Sequence, residues 1–204
     1  MSSRDDILGA IRKNRPKLDR PLPAVPPFDA DAPSALLGVF KESLTRMGGL
    51  FLELPESGNP LLPVLEKIAT AKIVCSTVPE IAGNRAIDAV RVPRALADVD
   101  FAIVRAAFAV AETGSVLLDD VHLSVNAVAY LAQHLIVLLD PADILLNLHH
   151  AYRRPEFRER HYAVFHTGPS ATADIEGVLI HGAQGVRSLA VLPLAREAAS
   201  ARQR

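Results

Sequence analysis

Apolar residues along this chain recur with two periods, and each change of period marks a new element. Over 35–47 they recur at helical spacing, and Gly48-Gly49 follows as a helix stop. Residues 50–54 read as a strand, 61–70 as a helix and 72–75 as a strand. Residues 79–88 predict a short helix, 90–92 a short strand and 95–97 a turn of helix. The Ala-rich apolar run over 101–109 carries no decisive period. Residues 109–118 predict two strands meeting at Thr113-Gly114. Residues 123–131 predict a helix, 135–139 a buried strand, and 141–152 a helix opened by Pro141. The last strands fall at 162–165 and 189–192. Short apolar strands between helices imply an α/β fold with a mostly parallel sheet covered on both faces.

The first 33 residues read differently. Ser3 can cap a helix that begins with Asp5 and Asp6 and ends near Arg12 and Lys13, which suits the helix dipole. Ile7, Leu8 and Ile11 share one face. Prolines then crowd the segment from 16 to 33 and favour extended chain. Residues 1–33 therefore form a helix on an arm, which either packs on its own domain or embraces a second subunit. Residues 34–204 form one α/β domain.

Composition removes several function classes. The 204 residues are 50% hydrophobic, enough for a core without staples. With 22 basic and 23 acidic residues there is no positive field to attract nucleic acid. The one cysteine, Cys75, lies in an apolar run and reads as a core thiol. An iron–sulfur cluster takes about four cysteine thiolates, so none is expected in this chain. The seven histidines show no zinc spacing, so no metal site is expected. The acidic N-terminus is unlike a signal peptide, and the longest apolar run is broken by Asp140, Pro141 and Asp143. A cytoplasmic protein without a membrane span is expected.

Three stretches carry candidate chemistry. The first is Gly168-Pro169-Ser170-Ala171-Thr172-Ala173-Asp174-Ile175-Glu176, directly after a strand. Its glycine and proline force a turn, and Ser170 or Thr172 can cap a helix or help hold an anion. Asp174 is a candidate catalytic carboxylate, but with Glu176 it repels a phosphate unless a base intervenes. The second is Ala111-Glu112-Thr113-Gly114-Ser115. Burial of Glu112 in this hairpin would raise its pKa and suit it to acid–base work, and a solvated turn glutamate is the alternative. The third is His181-Gly182-Ala183-Gln184-Gly185-Val186-Arg187. Gly182 and Gly185 allow a close backbone approach, and Arg187 can offset Asp174 or bind an acidic ligand. A plain loop into the last strand is the alternative.

The Glu112 motif followed by the Gly168–Glu176 motif, with a glycine loop before the last strand, resembles the LUD-domain family. The match covers about residues 35–195, and within the family the chain is similar to the lactate-utilization protein C (LutC/YkgG) type. The resemblance implies a Rossmann-like sheet with helices on both faces, similar to the NagB/RpiA/CoA-transferase-like fold. It implies a role in oxidising L-lactate to pyruvate beside partner proteins that carry the iron–sulfur clusters, and a homo-oligomer is possible. The three stretches together give Thr113, Gly114, Gly168, Ser170, Thr172, Glu176, Gly182, Gly185 and Arg187 as candidate ligand-site residues, with Glu112 and Asp174 as candidate catalytic groups.

The chain departs from the family pattern at three places. Ala171 stands where relatives carry arginine, Gln184-Gly185-Val186 where they read His-Gly-Pro, and Leu131-Ala132 where Leu-Pro is expected. Two further readings stay open. One is an independent enzyme or binder for a CoA ester, sugar phosphate or folate-like molecule. The other is a structural subunit without a ligand site.

Overall fold

The structure is a computed structural model that describes residues 3–16, 23–29, 33–173, 180–181 and 184–196. Helix α1 (Ser3–Asn14) has its acids in the first turn and its bases in the last, and none of its residues is buried. After the arm, α2 (Leu36–Arg46) buries Phe40, Ser43 and Leu44 on one face. Gly49 N donates to the Leu44 carbonyl and closes the helix. Next come β1 (Leu50–Phe51), α3 (Leu62–Ile68) and β2 (Val74–Ser76). Strands β3 (Phe101–Arg105), β4 (Phe108–Val110) and β5 (Ser115–Asp119) follow, then the short helices α4 (Asp120–Leu123) and α5 (Val128–Leu131). Beyond them lie β6 (His134–Leu139), β7 (Ile144–Leu145), α6 (Leu148–Ala151) and α7 (Pro155–Glu159). The described chain closes with β8 (Ala163–His166), β9 (Ala171–Thr172), β10 (Ile180–His181) and β11 (Ser188–Pro193).

Five strands form a parallel sheet in the order β1-β11-β6-β3-β2. Its central strands are apolar on both faces, so they are covered from both sides, as the sequence predicts. This is a Rossmann-like α/β sheet flanked by helices. A second sheet, β7-β4-β5-β8, is the unexpected part. Here β4 pairs with β5 and β5 with β8 antiparallel, while β7 lies parallel to β4. The ambiguous run over 101–109 resolves into two strands, one in each sheet. Ala106 N still donates to Leu138 in the parallel sheet, and Ala107 N already donates to Leu117 in the second. The chain changes sheets between these two alanines, whose small side chains are buried.

Several expected elements are corrected. Residues 79–88 form no α-helix; a 3-10 turn, Ile87–Ala89, stands at the end of that segment. No strand forms at 90–92. The helix expected over 123–131 is split into α4 and α5, with Ser124 at φ 58° where α4 stops. The helix expected over 141–152 is replaced by a 3-10 turn (Pro141–Asp143), then β7, then α6. Asn147 starts α6 afresh, its side chain accepting from His150 N at 3.1 Å.

The arm touches the body near its end. Asn147 Nδ2 donates to the carbonyls of Pro27 and Phe28, at 2.8 and 3.3 Å. The Arg153 guanidinium donates to Val25 O, and the Phe28 ring lies 4.7 Å from that of His149. Among the described residues no helix is long and apolar enough to cross a membrane.

Candidate functional site

The site is built where three turns meet. The first is the β4–β5 hairpin, whose tip at Gly114 has φ +68°. A Cβ there would lie 2.3 Å from Leu44 N, so only glycine lets the hairpin press on α2. The second is the C-terminal end of α2. The Ser43 hydroxyl donates to the Glu112 carbonyl at 3.3 Å and ties helix to hairpin. The third is the turn after β8. Gly168, at φ +71°, brings that turn against Met47, with a Cβ position only 2.1 Å from Met47 O.

A pocket of about 490 Å³ opens between them. Glu112, Thr113, Ser115, Thr167 and Arg46 supply its polar groups, and Met47, Leu148, Tyr152 and Phe165 its apolar walls. Its size is that of a small-molecule site. Three hydroxyls form a chain along it. Thr113 Oγ1 is 2.7 Å from Ser115 Oγ, which is 2.6 Å from Thr167 Oγ1. Ser115 is buried and has a single hydroxyl hydrogen, so it can donate to only one of these neighbours and accepts from at least one. Arg46 is exposed, and its side chain makes no hydrogen bond or ion pair with any described residue. It is the cation of the pocket and is free to meet an anion.

Glu112 differs from the expectation of a buried acid. It is exposed, and its Oε2 accepts from Leu148 N at 3.2 Å, at the start of α6. The burial expected of it is absent. The carboxylate instead fixes the first turn of α6, which brings Leu148 and Tyr152 to the pocket wall.

A second, smaller pocket adjoins the first and shares Phe165 and Thr167 with it. Gly168, Ser170 and Gly185 line it. Ser170 N donates to Val186 O at 2.9 Å, and a Cβ on Gly185 would meet the Ser170 Cβ at 3.1 Å. Thus the turn after β8 and the loop before β11 lie one on the other. Both pockets sit beside residues that precede β1, β6 and β11. That is the N-terminal edge of the parallel sheet, not the C-terminal edge where open α/β sheets commonly bind ligands.

The remaining sequence candidates divide. Thr172 lies in β9, paired with Ile180, and lines neither pocket. Ser170 leads into strand β9 rather than a helix, so its expected capping role is not found, and a helix capped by Thr172 would fall on residues outside those described. Arg187 is exposed and lines neither pocket; its N–H donates to Gln133 O, and its charge, after burial, pushes His134 down. Asp174, Glu176 and Gly182 lie outside the described residues. Cys75 is buried, and burial pushes its thiol up, which makes it inert. No group of metal ligands forms among the described residues.

Ser43 and Arg46 are not legible as site residues in the sequence because they belong to a helix some 70 positions before the hairpin. Thr167 was legible as a third hydroxyl directly before Gly168. His166 and Tyr130, both in the second pocket, carry no signal in the sequence beyond a histidine without zinc spacing and a residue of an expected helix.

The fold is a parallel α/β sheet joined to a second, mainly antiparallel one, with paired pockets at the junction. The chain belongs to the LUD domain family, which matches residues 68–192. The contribution of α2 to the pocket thus comes from outside the matched segment. A crystal structure of a DUF162 family protein from Deinococcus radiodurans has a similar fold, with a TM-score of 0.56 and 16% identity, covering 76% of this chain and 94% of that one. No curated protein matches the sequence.

Proposed function

We propose that this chain is a LutC-type, ligand-holding subunit that serves the oxidation of L-lactate to pyruvate together with iron–sulfur partner proteins. Membership of the LUD domain family supports the setting. The observation that carries the ligand-holding part is the first pocket. One cation, Arg46, unpaired among the described residues, stands beside a chain of three hydroxyls, with apolar walls opposite. One guanidinium with hydroxyl donors matches a single carboxylate better than a diphosphate, which asks for several cations or a ring of backbone N–H groups. A single buried cysteine leaves redox clusters to the partners.

The test is genetic and biochemical. Deleting the chain abolishes growth on L-lactate but not on glucose, and the tagged chain retains iron–sulfur proteins. Restoring Arg46→Gln instead of the natural chain leaves lactate growth impaired. Unchanged growth on lactate with no retained partner would sink the reading.

A second reading is an independent binder of a small acid. It is favoured by Arg46 and the three hydroxyls of this chain, which together suit one small carboxylate. Thermal shift with lactate, pyruvate and a CoA ester separates the two. A ligand at 100 times its dissociation constant stabilises by about 2.7 kcal/mol, with no partner present.

A further inference from the structure

The second pocket has chemistry of its own. Its volume is about 290 Å³, and none of the described residues lining it is Asp, Glu, Lys or Arg. His166 lines it, and Nε2 of His166 is buried with no hydrogen-bond partner among the described residues. Burial pushes this imidazole down to about 4, so at neutral pH it carries no charge. A neutral imidazole has one donor and one acceptor nitrogen. The Tyr130 ring sits 5.1 Å from the His166 ring, and its hydroxyl is already bonded to that of Tyr162. The Ser170 hydroxyl and the Gln184 amide, both on the lining, have no partner among the described residues. The pocket therefore offers neutral donors and acceptors, an aromatic wall and no counter-charge. A carboxylate or phosphate entering it would lose its hydration without compensation.

We propose that this second pocket is a binding site for an uncharged hydrogen-bonding group, an amide or a hydroxyl. Its lining shares Phe165 and Thr167 with that of the first pocket, but side chains alternate along β8. Phe165 packs with Phe108 and Tyr152 beside the first pocket, whereas His166 packs on Tyr130 in the second. Thr167 Oγ1 is held by Ser115 on the side of the first pocket. The neutral site stands on its own residues and does not depend on the ligand-holding role proposed above.

The test uses two isosteric probes that differ in charge, propionate and propionamide, titrated into the isotope-labelled full chain. Propionamide shifts the Ser170 and Gly185 amide signals and the His166 imidazole signals more than those of Thr113. Propionate does the reverse. His166→Phe and Ser170→Ala each weaken propionamide at least threefold and leave propionate within twofold. The proposal is overturned if propionamide leaves the His166 and Ser170 signals unmoved, if propionate shifts them equally, or if both variants bind propionamide normally. If propionate fails at the first pocket while propionamide still reaches His166, the anion-holding role falls and the neutral site stands.

Discussion

Gly168 lies directly against the backbone of Met47, so close that a Cβ would come within 2.1 Å of the Met47 carbonyl oxygen. Its φ of +71° is already one that side chains avoid. Both effects act at the wall shared by the two pockets. Gly168→Ala should cost about 2–3 kcal/mol, from the left-handed backbone and the clash together. It should also move the β8 turn away from α2 and loosen the first pocket. Urea denaturation measures the first effect and propionate affinity the second. An unchanged denaturation midpoint would show that the turn does not rest on α2 as described.

The hydroxyl chain makes a separate prediction. Ser115→Ala leaves Thr113 and Thr167 without their shared partner in a buried position, at a cost of about 1–2 kcal/mol. Thr167→Val costs a similar amount. The two are in contact, so the double variant should lose less than the sum, with a coupling of about 1 kcal/mol. Strict additivity in a double-mutant cycle would mean that the hydroxyls are not bonded to each other.

How far these features are legible in the sequence depends on how local their causes are. The Glu112 hairpin is legible because Gly114 marks the tight turn within four residues. Residues 135–139 and 189–192 are legible as buried parallel strands because they are apolar throughout. The second sheet is not. The apolar pattern of residues 101–110 gives no sign that the chain switches sheets at Ala106-Ala107; Leu138 and Leu117 decide that from a distance. The 141–152 segment has good helical spacing, yet pairing of Ile144 with Ala109 and of Leu145 with Val110 overrides it. The same holds for the site. Thr113 and Ser115 sit in a visible motif, whereas Arg46 and Ser43 reach it only through the packing of Gly114 on Leu44.

Asp119 anchors the opposite end of β5. It is fully buried, and its oxygens accept from His122 N at 2.9 Å, His122 Nδ1 at 2.6 Å and Arg160 Nε at 3.1 Å. Burial pushes this carboxyl up, but the bonds from His122 and Arg160 outweigh it and hold it below its usual value. A carboxyl held low stabilises the fold above its unfolded pKa, and that stability is lost as the pH falls through the folded value. Asp119→Ala strands Arg160 and uncaps α4, and should cost about 3 kcal/mol. Asp119→Asn, which keeps the cap but not the charge, should cost less. Calorimetry on both variants checks the order; a silent Asp119→Ala would remove Asp119 as an anchor.

His166 gives the fold a second pH dependence to test, one that arises from a group kept neutral. Burial pushes its imidazole down to about 4 from an ordinary 6.5. The unfolded chain takes up this proton near 6.5, and the folded chain only near 4. Between those values the unfolded state binds more protons, so stability falls as the pH drops through that window. One proton taken up by the unfolded chain alone changes stability by ~1.4 kcal/mol for each pH unit crossed, so the loss from pH 7 to pH 5 is about 2 kcal/mol. Other groups titrate over the same range, so the informative quantity is a difference. His166→Gln stays neutral at every pH and should be about 2 kcal/mol less sensitive to that change than the natural chain. Urea denaturation of both proteins at pH 7 and pH 5 measures it. Parallel pH profiles for the two proteins would mean that His166 is not held neutral, and would leave the second pocket with a charge it is proposed not to have.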